Sequence, residues 1–84
     1  MRHATADALD QIDGLLARLR TFPQLEERKR GSFYRGSKAF LHFHEDPTGM
    51  YADVRLGDEF ERMRVSTKRE QQQLLTKVRA ATRG

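Results

Sequence analysis

The chain contains no cysteine and no tryptophan. Without cysteine, neither a disulfide nor a thiolate-bound zinc can brace the fold, so packing must hold it, helped where needed by self-association into a homodimer. No apolar run approaches the length of a membrane span, and no charged-then-apolar leader opens the chain. The expectation is a cytoplasmic protein without membrane contact. No Gly-rich phosphate loop and no Ser-His-Asp order is present. Internal repeats and low-complexity tracts are also missing. At 84 residues, a single domain spanning 1–84 is expected.

What the chain has is charge, unevenly placed. Residues 1–30 carry six Lys/Arg against five Asp/Glu, residues 31–65 five against six, and residues 66–84 five against one. The formal excess of +4 therefore lies in the last segment. Such a tail reads first as a solvated helix face, with weak, non-specific attraction to nucleic-acid phosphates as the alternative.

Thr5 to Leu19 reads as one helix. Ala8, Leu9, Ile12, Leu15, Leu16 and Leu19 make an apolar stripe, Thr5 caps the start, and Pro23 disfavours a helical Phe22. Leu25 to Arg30 is a charge run that fits either a linker or a first edge strand. Four strands follow at about Ser32–Arg35, Ala39–Glu45, Met50–Leu56 and Phe60–Val65. Between the second and third, Asp46-Pro47-Thr48-Gly49 suits a type I turn. Thr67 and Glu70 fit a capping box for a last helix, whose apolar stripe is Leu74, Leu75, Val78 and Ala81. The expected fold class is α+β: a four-stranded antiparallel meander, with the N- and C-terminal helices packed on one sheet face.

Phe40-Leu41-His42-Phe43-His44-Glu45 alternates nearly perfectly, which puts both imidazoles on the same face of a strand. If Glu45 pairs with Met50, His44 faces Tyr51, His42 faces Asp53, and Phe40 faces Arg55. The other face then collects Leu41, Phe43, Met50, Ala52, Val54 and Leu56, joined by Met63 and Val65. Arg62 and Arg64 fall on the polar face with Phe60 at its border. Either Phe33 or Tyr34 contributes from the first strand. His3 lies in an N-terminal arm apart from this set.

Four readings compete for the polar face. It is a solvated sheet face with ordinary cross-strand pairs. It is a binding surface of His42, His44, Tyr51, Asp53, Arg55, Arg62 and Arg64 for a ligand or a protein partner. It is a metal site of His42, His44 and Asp53, a donor set suited to zinc or iron and open to hydrolytic chemistry. Or it is a metal-free catalytic site with His42 as general base oriented by Asp53. A small binding domain that needs no cofactor is the functional expectation, with zinc binding and non-specific DNA binding as alternatives.

Three short stretches carry a family resemblance. Phe22-Pro23-Gln24-Leu25-Glu26-Glu27, Gly31-Ser32-Phe33-Tyr34 and Gly36-Ser37-Lys38-Ala39-Phe40 resemble the opening of the YjbR-like small bacterial domains. Phe40-Leu41-His42-Phe43-His44, with Asp53 after it, resembles the H-x-H…D pattern of the luciferase-domain family. The resemblance spans roughly residues 20–65. It implies an α+β sheet with helices on one side and, from the first family, DNA binding. It transfers no catalytic residue.

Overall fold

The two hydrophobic parities set the architecture. The computed structural model describes residues 1–83. The elements run β1 (Arg2–His3), α1 (Ala6–Gln11), α2 (Asp13–Leu19), β2 (Glu26–Lys29), β3 (Ser32–Arg35), β4 (Lys38–Asp46), β5 (Gly49–Arg55), β6 (Phe60–Arg64) and α3 (Lys68–Thr82). This is the expected α+β fold, an antiparallel sheet flanked by N- and C-terminal helices, but the sheet has six strands where four were expected. The path is β2-β3-β4-β5-β6, and β1 pairs with β4 off that path.

Both extra strands come from segments without an apolar alternation. The charge run became β2, an edge strand that pairs with β3. Charged side chains suit an edge, because they leave the backbone free to pair on one side and discourage pairing on the other. Glu27 anchors it: its carboxylate accepts from Arg20 on the helix side and from the Gly31 amide in the turn. These bonds, Arg20's first, hold the Glu27 carboxyl below its ordinary pKa. Gly31 turns the chain at φ +80°, where a side chain would press on Leu9.

The β4–β5 hairpin has the expected register throughout its ladder, with Leu41 opposite Val54, His42 opposite Asp53, Phe43 opposite Ala52, His44 opposite Tyr51 and Glu45 opposite Met50. Leu41, Phe43, Ala52 and Val54 are buried with the stripes of both helices in one cluster, together with Val65, Leu74 and Val78. Met63 and Leu56 pack against it half-buried. Phe33 takes the core position of β3 and is 1% exposed, which leaves Tyr34 for the polar face.

Two local expectations are corrected. The first helix is two helices. Ile12 leaves helical geometry at φ −114° and ψ 25°, though its carbonyl still accepts from the Leu16 amide. The poor helix formers Asp13 and Gly14 follow it directly, so the break costs little. Phe40 was expected on the polar face opposite Arg55, yet it is 3% exposed in the core. The β3–β4 register steps from Phe33–Leu41 to Tyr34–Ala39, so Phe40 is the extra residue of a bulge. A bulge breaks strict alternation and turns Phe40 inward beside Leu41.

Phe40→Ala should therefore cost about 3–5 kcal/mol, as for other buried phenylalanines. Urea denaturation measures it. A loss under about 1 kcal/mol would return Phe40 to the solvated face.

Candidate functional site

Asp53 is the hub of the polar face. It sits in the central part of β5, directly across from His42, and is 9% exposed. Its other neighbour across the sheet is Arg62 on β6. The guanidinium of Arg62 donates as a fork, Nε to Oδ1 at 2.8 Å and Nη2 to Oδ2 at 2.9 Å. Such bidentate pairing fixes a carboxylate's plane as well as its position.

Two imidazoles approach the same carboxylate from β4. His44 Nε2 lies 3.1 Å and His42 Nε2 3.5 Å from Asp53 Oδ2. The His44 contact is within hydrogen-bond distance but not aligned as one. Among the described residues, His44 Nε2 is a buried polar atom with no hydrogen-bond partner. The nitrogen faces the carboxylate oxygen without an aligned hydrogen bond to it. Donor atoms of His42, His44 and Asp53 all lie within 4.8 Å of one another, which makes this a polar cluster able to hold a metal ion or a polar ligand.

The electrostatics favour a neutral His42 and an ionised Asp53. Burial lowers the His42 pKa from its ordinary value, against the opposing pull of Asp53, and the neighbouring His44, His3 and Arg62 act in the same direction as burial. Asp53 is held below the ordinary carboxylate value chiefly by the Arg62 hydrogen bonds, which outweigh its own desolvation. A neutral imidazole and an ionised carboxylate are the protonation states a metal requires.

The structure brings together only part of the predicted set. His42, His44, Asp53 and Arg62 converge. Tyr51 shares their face, but its hydroxyl bonds Thr48 Oγ1 at 2.7 Å in the β4–β5 turn. Arg64 donates to the Thr48 carbonyl and to Glu70, tying that turn to the start of α3. Arg55 donates to the Asp58 carbonyl and lies 4.6 Å over the Phe60 ring. Phe60 in turn packs edge-on against His42, with ring centres 5.3 Å apart, and walls one side of the cluster.

One residue set aside in the sequence belongs here. His3 on β1 pairs directly with His44 and stacks on its ring, centres 4.7 Å apart and planes 28° from parallel. Nothing in the sequence around His3 marks it. Its partner lies 41 positions away, and β1 is two residues long, too short for any alternation to register. Beside His3 and His42 a pocket of about 300 Å³ opens between the turn at Gly31 and strand β4, with Lys29 at its rim.

Arg62→Gln should lower stability at pH 7, because it removes the charged partner of a buried carboxylate. The sign follows from the depressed Asp53 pKa. Stabilisation is complete above the unfolded value of about 3.9 and is lost as pH falls through the lower folded value. The gap between wild type and variant should close at low pH. Urea titrations from pH 7 to pH 2 check this, and a gap that shows no narrowing below the unfolded value would refute the assignment.

No family model matches the chain, and neither the curated proteins nor the solved structures compared with it contain a match.

Proposed function

We propose that the domain binds a divalent transition-metal ion, with zinc as the first choice, through His42, His44 and Asp53. The observation that carries this reading is the convergence of two imidazole nitrogens on one oxygen of a buried carboxylate, with the closer nitrogen unbonded. Neighbouring donor atoms of one tetrahedral ion with bonds of about 2.0 Å sit about 3.3 Å apart. The two nitrogen–oxygen distances, 3.1 and 3.5 Å, straddle that spacing. Imidazole nitrogen with carboxylate oxygen suits zinc and iron, and the set contains no thiolate that would favour copper(I).

Arg62 supports the reading from outside the donor set. A ligating carboxylate is commonly held by a further hydrogen-bond donor, which sets its orientation. Arg62 does this with both of its contacts and occupies one lone-pair direction on each oxygen. It also neutralises Asp53. A divalent ion bound beside this pair retains close to its full charge, which favours anionic or hydroxide ligands in any remaining position.

The bare polar-surface reading has less support. Of its seven residues, Tyr51, Arg55 and Arg64 are committed to turn carbonyls, hydroxyls and aromatic packing.

Zinc should bind one ion per chain in calorimetry. Histidine side-chain NMR signals of His42 and His44 should shift, while Arg55→Ala leaves the affinity within about twofold. His42→Ala, His44→Ala and Asp53→Asn should each weaken binding at least about tenfold. Absence of zinc binding by the wild type, or affinity unaffected by all three substitutions, would sink the proposal.

A further inference from the structure

We infer that His3 is a fourth ligand of this ion, and that ion binding thereby fastens the N-terminal strand to the sheet. This rests on the metal reading above. The observation is that three imidazole rings are gathered side by side at the cluster. Ring centres are 5.0 Å apart for His42 and His44, 4.7 Å for His3 and His44, and 6.1 Å for His3 and His42. A zinc-bound nitrogen lies about 2.0 Å from the ion, which puts the ring centre about 3.2 Å away and two such rings about 5 Å apart at a tetrahedral angle. Two sides of the triangle match that spacing, and the third, His3 to His42 at 6.1 Å, is longer.

Backbone pairing, not chance side-chain contact, puts His3 there. His3 is directly opposite His44 in the antiparallel β1–β4 pair, so the two side chains share a face. β1 lies on the β3 side of β4, because β5 occupies the other side along Leu41–Asp46. It therefore brings its imidazole to the cluster from the edge opposite Asp53. His3 is outside the set whose donor atoms converge. Its ring is stacked on His44 and exposed, so a side-chain rotation is what ligation asks of it.

The consequence falls on the strand. β1 is held by its backbone pairing with Glu45 and His44, by the Ala4 amide bond to the Phe43 carbonyl at 3.1 Å, by Arg2 on Glu45 at 2.6 Å, by Thr5 on Glu45, and by the Met1 ammonium 3.5 Å from Asp46. The Arg2 side chain is largely exposed, and exposed ion pairs contribute little. A two-residue strand on such supports opens readily. A metal bond through His3 would link its opening to release of the ion. The N-terminal segment would then be closed with metal and loose without it. With three imidazoles and one carboxylate, a tetrahedral zinc is fully ligated by protein, and displacing His3 is what opens a position to an incoming anion.

The test uses the full chain with zinc as the probe. Zinc should shift the ring nitrogens of His3 as well as those of His42 and His44 in long-range ¹H–¹⁵N spectra. It should also slow hydrogen exchange at the Ala4 amide. His3→Gln, at an exposed position, should leave the melting temperature of the zinc-free protein unchanged. It should weaken zinc binding at least about tenfold while keeping one ion per chain, and it should abolish the slowing at Ala4. Unmoved His3 nitrogens with unchanged affinity in His3→Gln would overturn the role of His3 and leave the three-residue site standing. A wild type that binds no zinc would overturn both.

Discussion

The register of the β4–β5 hairpin is the constraint on which the other features rest. Six consecutive residue pairs connect Leu41–Asp46 to Gly49–Val54. A shift of one residue between the two strands would set the apolar side chains of one on the polar side of the other, sending either Leu41 and Phe43 or Ala52 and Val54 to solvent and burying either the two histidines or Asp53. The helices could not then cover an apolar face. The turn helps prevent that slip. Gly49 adopts φ +137°, and a side chain there would collide with Ser66 and Arg64 from the connection to α3. The Ser66 hydroxyl accepts from the Met50 amide, and the Val65 amide donates to the Met50 carbonyl. The start of the last helix therefore braces the turn that sets the sheet.

Once that register is set, Asp53 cannot avoid being a buried anion, and its neighbours follow from the need to compensate it. An unpaired carboxylate at this depth would cost several kcal/mol or would take up a proton. Arg62 meets the demand from β6, and the imidazoles meet it in part from β4. The pairing is lopsided. Arg62 makes two aligned hydrogen bonds, whereas His44 approaches to 3.1 Å without making one.

Much of this was readable from residue order, and the misses have local causes. Alternation from Leu41 to Glu45 and from Met50 to Leu56 gives the faces, because period two translates directly into them, and the turn at Asp46–Gly49 gives the register and with it the His42–Asp53 juxtaposition. The capping box at Thr67 and Glu70 was equally direct and is present with both of its bonds. Phe40 was misplaced because parity counting assumes an unbroken strand, and a bulge changes the count by one. Arg55, Tyr51 and Arg64 lie on strand β5 or β6 as expected, but long side chains reach beyond their own position, and theirs reach into turns. Leu25 to Arg30 is ambiguous in the sequence because an edge strand, here Glu26–Lys29, need not show an apolar face. His3 was invisible for the simplest reason: its meaning comes wholly from a contact 41 residues away.

Arg62 has a second consequence, for what lies outside the molecule. β6 ends the sheet path, and its outer edge carries unpaired backbone groups of the kind that recruit further strands. A second copy adding itself in antiparallel fashion, centred on this strand, would set Arg62 against its own twin and Phe60 against Arg64. Like charges directly opposite one another oppose such pairing. The arginine that holds the aspartate in the interior therefore also marks where the sheet stops growing. Replacing it with a neutral residue would loosen the cluster and remove that like-charge contact from the sheet edge.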